Sequence, residues 1–159
     1  MLLARTIRFD ESDGLVFSRS AEPGEWAVSG GFEFSNWTDA DLTGKARQAF
    51  ANGWLGLDSF GRATFVAVAQ ISESERAALE TRLAEHFVSY YGAPDVDAAR
   101  PVASDEIAFM ADLCADHPAN TLLAISRTLT AAGVSETFRA IAAADAELDL
   151  VAIHGSLDE

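Results

Sequence analysis

Cysteine, basic side chains and long apolar runs are what this chain has least of, and each shortage removes a class of protein. Cys114 is the single cysteine, so no internal disulfide is available. At 159 residues none is needed, since one domain of this size buries about 70% of the surface its unfolded chain exposes. The opening MLLARTIRF lacks the apolar stretch and small-residue cleavage site of a signal peptide. No run approaches the ~18 apolar residues of a membrane span. A cytoplasmic protein without a membrane anchor is expected. Only 11 Lys and Arg stand against 25 Asp and Glu, a formal charge of −14. Such a field repels polyphosphate and anionic lipid, which excludes nucleic acid and membranes as main partners.

Catalytic motifs are missing too. GLDSFGRA (residues 56 to 63) has the glycine spacing of a phosphate loop, but Arg62 stands for its lysine and Ala63 for its hydroxyl, and a strand is expected where a helix is needed. Ser59 lacks the preceding glycine of a nucleophile elbow. Cys114 and His117 sit three apart, with Asp112 and Asp116 beside them. No second cysteine completes a structural zinc site, and Cys114 falls on an apolar helix stripe where a buried thiol packs well. Asp10, Glu11 and Asp13 suit a solvated turn. Asp145, Glu147 and Asp149 suit the wet face of an edge strand. No metal or cofactor is expected, and no acid/base pair can be chosen.

What is present is globular material, 49% hydrophobic and 23% charged. LLARTIRF (residues 2 to 9) alternates as a strand, Asp13-Gly14 suits a turn, and LVFSRS would return antiparallel. EWAVSGGFEF (residues 25 to 34) reads as a third strand bent at Gly30-Gly31. Thr38, with Asp39 and Asp41, predicts a helix start, and that helix runs to about residue 51. Asn52-Gly53 then suits a left-handed helix close, with Trp54 making the apolar contact of such a cap. RATFVAVAQIS follows as a β-rich run. Ser72 and Glu75 form a capping box for a helix lined by Leu79, Leu83, Phe87 and Tyr90 and ended by Gly92. APDVDAARPVA reads as a linker, and Ser104, Asp105 and Glu106 start a third helix with Ile107, Met110, Leu113 and Cys114 inward. Residues 121 to 141 read as a hairpin in which TLLAISRTL and VSETFRAI flank a longer TAAG loop, and AELDLVAI as a final strand or short helix. The fold class expected is α+β: a single domain over residues 1–159, with an antiparallel β-sheet and about three helices packed mainly on one face.

EWAVSGGFEFSNW, GKARQAFANGWLGLDSFGRATFVAVA and EIAFMADLC together resemble a family of small acidic alphaproteobacterial proteins, a domain of unknown function. The resemblance covers nearly the whole chain and carries over no catalytic residue. It implies an accessory role, in the assembly or regulation of a metal-containing oxidoreductase.

Ten of the fifteen aromatic side chains fall before residue 66, more ring area than one sheet and one helix readily bury. Either these rings form the main core or their surplus forms a binding surface. The expectation is a non-catalytic accessory or interaction protein whose contacts are Trp26, Trp37, Trp54 and Phe60, with Arg62 anchoring a carboxylate. Its partner would be another protein or, through an edge strand of the hairpin, a second copy in a homodimer. The alternative is a binder of an anionic small molecule, or an enzyme with a dispersed site, using Arg62, Arg127 or Arg139.

Overall fold

The chain's alternating segments form strands and its capped, periodic segments form helices in the computed structural model, which describes residues 1–8 and 12–141. The order is β1 (Leu2–Ile7), α1 (Ser12–Val16), β2 (Trp26–Val28), 3-10 turns at Gly31–Phe34 and Asp39–Asp41, α2 (Gly44–Asn52), β3 (Trp54–Gly56), β4 (Arg62–Ala63), β5 (Phe65–Gln70), α3 (Glu73–Tyr90), α4 (Val96–Ala115), β6 (Leu122–Thr130) and β7 (Gly133–Ile141). The named strands pair antiparallel in one seven-stranded sheet, ordered β4-β3-β2-β1-β5-β6-β7. The class is α+β, as expected. No helix among the described residues is long and apolar enough to cross a membrane.

The hairpin holds, in register from Leu122↔Ile141 to Thr130↔Gly133, but its loop is tighter than the expected TAAG, because Thr130 and Gly133 pair and leave only Ala131 and Ala132 between the strands. That register puts Ile125, Phe138, Arg127 and Glu136 on one sheet face, because side chains two apart along a strand share a face. Phe109 of α4 meets Phe138 there, ring centres 5.7 Å apart, and the end of α2 meets Arg127. α3 packs on α4. Leu3, Val66, Val68, Leu83, Ile107, Met110 and Leu123 fill the core between them. The α3 start is as read from sequence: the Glu75 amide donates to Ser72 Oγ and the Ser72 amide to Glu75 Oε1. Tyr90, expected on the apolar stripe, is exposed instead.

Five local expectations give way to tertiary contacts. Residues 12–16 are helix rather than a turn and returning strand, and Asp13 is buried, its carboxylate accepting from Thr64 Oγ1 at 2.7 Å. β2 ends at Val28, because Gly30 turns left-handed (φ 74°) and leads into a 3-10 turn. Thr38 caps a 3-10 turn through Asp41, and α2 begins only at Gly44. Gly53 is extended (φ −93°, ψ 126°), not left-handed. The supposed linker is the first half of α4, capped by Asp95, whose Oδ1 accepts from the Ala98 amide at 2.7 Å, with Pro101 inside the helix and Ala99 and Ala103 buried. Pro101 lies early in α4, so the helix forgoes a bond to the Asp97 carbonyl and keeps the apolar contacts of its first turns. AELDLVAI, with Asp145, Glu147 and Asp149, lies outside the described residues, as do Asp10 and Glu11.

Arg127 explains how α2 ends without a left-handed cap. Its Nη1 donates to the carbonyls of Phe50 and Gly53 at 2.9 and 2.8 Å, satisfying acceptors that a helix leaves bare at its C-terminus. Arg62, on the far edge strand β4, also reaches the Gly53 carbonyl, at 3.1 Å. Both guanidiniums bond the Ser29 carbonyl and lie on the Phe34 ring, 4.7 Å for Arg62 and 5.2 Å for Arg127. Strands β4 and β6 stand far apart in the sheet order, so their side chains meet only because the sheet curls round. Glu33 pairs with Arg62 at 2.6 Å and Glu136 with Arg127 at 2.8 Å.

Arg127→Met strips donors from three buried carbonyls and a carboxylate. It is expected to cost about 3 kcal/mol or more in urea unfolding. Arg47→Met, at an exposed position of α2, should stay within about 0.5 kcal/mol.

Candidate functional site

The aromatic residues singled out in the sequence land in separate places. Trp54 is fully buried on β3, its ring centre 5.7 Å from Phe138, and belongs to the core. Trp37 is half-buried and packs on Phe34 and Phe50 at 4.7 and 6.4 Å. Trp26 is half-buried under the Arg5 guanidinium at 4.0 Å and lines a cleft with Leu79 and Arg82. Phe60 stacks flat on His86 at 3.8 Å, with a left-handed backbone (φ 56°). Arg62 is buried, and its guanidinium is taken up by three carbonyls and Glu33.

The glycine-rich stretch around Trp54 is a tight β3-to-β4 connection organised by one carboxylate. Glu25 is buried and accepts from the amides of Glu22, Asp58 and Ser59 and from Ser59 Oγ, at 2.6 to 2.9 Å. Gly61 lies so close to the neighbouring chain that an added Cβ would fall 2.5 Å from the Ser20 carbonyl. Ser59 therefore spends its hydroxyl on structure, and Phe60 is held in an unfavourable backbone conformation by its neighbours.

The three arginines of the anionic-ligand alternative do not converge. Arg62 and Arg127 meet, but their donors already serve carbonyls, Glu33 and Glu136. Burial and the nearby Arg62 charge pull Arg127 down to about 10, so it stays charged at neutral pH. Arg139 pairs opposite Ala124, on the sheet face turned away from Phe138. Cys114 is fully buried and its thiol is pushed up to about 11 by burial, which keeps it protonated and unreactive. Among the described residues no cluster of three His, Cys, Asp or Glu is placed to hold a metal ion.

A groove that no sequence motif announces runs between α4 and the 3-10 turn at Gly31–Phe34. One end is a cleft of about 320 Å³ walled by Phe32, Phe109, Asp105, Glu106 and Glu136. The other is a hollow of about 340 Å³ walled by Phe32, Phe87, Tyr91, Ala98 and Val102. Phe32 walls both, so the two adjoin at its ring. It is fixed edge-on against Phe87 and Tyr91, ring centres 5.0 and 5.5 Å away. Val102, Glu106 and Phe109 follow one another at helical spacing along the rim of α4. Val102, Phe109 and Tyr91 are 52%, 46% and 45% exposed, Val102 and Tyr91 on the wall of the hollow and Phe109 on that of the cleft.

Charge in the groove is of one sign. Glu106 is raised above its ordinary 4.5, first by burial and then by the facing Glu136 and adjacent Asp105. The Tyr91 phenol is pushed up to about 12, chiefly by burial and by Glu33. One clue to the groove was legible: Phe109 falls off the stripe of Ile107, Met110 and Cys114. Val102 was hidden because Pro101 made its segment resemble a linker.

Trp54→Ala should cost about 3–5 kcal/mol of stability, as expected for emptying a filled core site. For Glu106, a carboxyl raised in the folded state penalises the fold increasingly as pH rises above 4.5 and in full once pH exceeds the raised value, and the penalty vanishes where both states are protonated. Glu106→Gln should therefore raise Tm at pH 7, and the gain should fade as the solution is taken below pH 4.5.

No curated protein and no solved structure matches this chain. One family does, described as a family of unknown function, and its match runs over residues 1–159. Covered along its whole length, the chain belongs to that family, DUF6505.

Proposed function

We propose that this chain is a non-catalytic accessory or interaction protein that receives a partner protein in the groove between α4 and the Gly31–Phe34 turn. The observation that carries this is the group of exposed apolar side chains, Val102, Phe109 and Tyr91, beside a Phe32 fixed by its neighbours. Interfaces form where apolar and aromatic groups stay exposed at rigid sites. The chemistry-bearing groups elsewhere support the same reading, because Ser59, Glu25, Asp13 and both buried arginines are engaged in holding the fold. The clefts at Phe32, Trp26 and Phe60 are open to solvent, whereas a small-molecule site encloses most of its ligand. The contact set therefore shifts from Trp54 and Arg62, which are core, to the α4 rim. Assembly or regulation of a metal-containing oxidoreductase is the narrower form of this proposal, carried by the family resemblance alone. A cytoplasmic location is part of the same proposal.

A homodimer is the second reading, favoured by β7, which among the described residues ends the sheet order and presents an edge strand.

The test is the double variant Val102→Asp, Phe109→Asp, both exposed positions, used as tagged bait in lysate of the native host. Wild type should retain one stoichiometric partner; the variant should keep its Tm within a few degrees and lose that partner. A bait that retains nothing, or a variant that retains as much as wild type, overturns the proposal. Light scattering that shows a dimer insensitive to these substitutions moves the assignment to β7.

A further inference from the structure

We infer that the segment received in this groove is basic and apolar: a lysine or arginine side chain enters the cleft between Phe32 and Phe109 against Glu106, and apolar side chains fill the hollow beside Val102 and Tyr91. This rests on the interaction reading above and specifies the partner's chemistry.

Three carboxylates line the cleft from two walls, Asp105 and Glu106 from α4 and Glu136 from β7. Glu136 is already matched from beneath by Arg127 at 2.8 Å. The side chains of Asp105 and Glu106 make no ion pair and no hydrogen bond among the described residues. Glu106 is moreover partly desolvated, with its charge facing two like charges, and that raises its affinity for a proton. The part of this that comes from Glu136 and Asp105 is like-charge repulsion, which a partner's cation between the three carboxylates relieves. The walls suit such a cation, since Phe32 and Phe109 offer aromatic rings to a guanidinium or ammonium and its aliphatic stem. An anionic or acidic segment would meet this wall and the −14 net charge with repulsion on both counts.

The apolar half gives the cation its setting. Phe32 lines both cavities, so a segment whose basic side chain reaches Glu106 lays its neighbours against Val102 and Tyr91. The cleft at Phe60 and His86 lacks this character, because its Arg82 is already turned toward Asp58, donating to the carbonyl at 2.9 Å.

The experiment titrates the isotope-labelled full chain with a short amphipathic peptide of leucine and lysine, and separately with the same peptide carrying glutamate for lysine. Backbone signals of Gly31, Phe32, Gly92, Val102 and Phe109 should shift saturably with the lysine peptide alone. Affinity should fall about tenfold in Glu106→Gln, a variant expected to be more stable at neutral pH, so the loss cannot come from unfolding. Glu85→Gln, at an exposed position of α3, should bind as wild type does. Shifts that map elsewhere, equal binding of the glutamate peptide, or unchanged affinity in Glu106→Gln overturn the inference. A captured partner that is lost with Val102→Asp, Phe109→Asp but kept with Glu106→Gln also overturns it, while the interaction reading stands. A wild-type bait that retains no partner sinks that reading instead, and the titration still decides the chemistry of the groove.

Discussion

Arg62 and Arg127 come from strands that are not neighbours, yet they bond the same two carbonyls, of Ser29 and Gly53, and cover the same ring, Phe34. Two guanidiniums buried together repel each other and lose their hydration, a cost offset only where acceptors and counter-charges are in place. Here the acceptors are the carbonyls at the end of α2 and beyond Val28, and the counter-charges are Glu33 and Glu136. The C-terminal end of a helix carries partial negative charge, so α2 and Arg127 stabilise each other. Much follows from this knot. It takes up the carbonyls beyond the end of β2, closes α2 without a left-handed residue, ties the two sides of the curled sheet together and holds the Gly31–Phe34 turn beside α4.

Because Glu33 and Phe34 are held by the arginines, Phe32 is presented between them and α4 with little freedom, against Phe87 and Tyr91. A rigid aromatic loses little conformational entropy when a partner covers it. Arg127 also steers Glu136 to the foot of the cleft, where its charge adds to those of Asp105 and Glu106. The curl of the sheet and the character of the groove thus meet in the same pair of arginines. Glu25 plays a comparable part at the other end, organising the loop that carries Phe60 through the amides of Asp58 and Ser59.

The division between what could be read along the chain and what could not follows the range of the interactions. The α3 capping box, the β6–β7 hairpin, the buried Cys114 and the class α+β depend on residues near one another in sequence, and each appears as expected. Alternation and helical spacing report the same local geometry. Trp54 shows where this stops: its place in a glycine-rich stretch left both core and surface open, and contact with Phe138, 84 positions along, put it in the core.

Composition and spacing determined, by themselves, the class of fold, the net charge of −14, and the position of the best helix. Tertiary structure decided the rest. Asp13 became a buried acceptor for Thr64, Pro101 was absorbed into α4, Gly53 stayed extended because an arginine caps α2, and Val102 and Phe109 were left outside the core. Caps and periods are set by neighbours a few residues apart. Which carbonyl a distant arginine reaches, and which apolar side chain finds no room inside, depends on how the whole sheet closes.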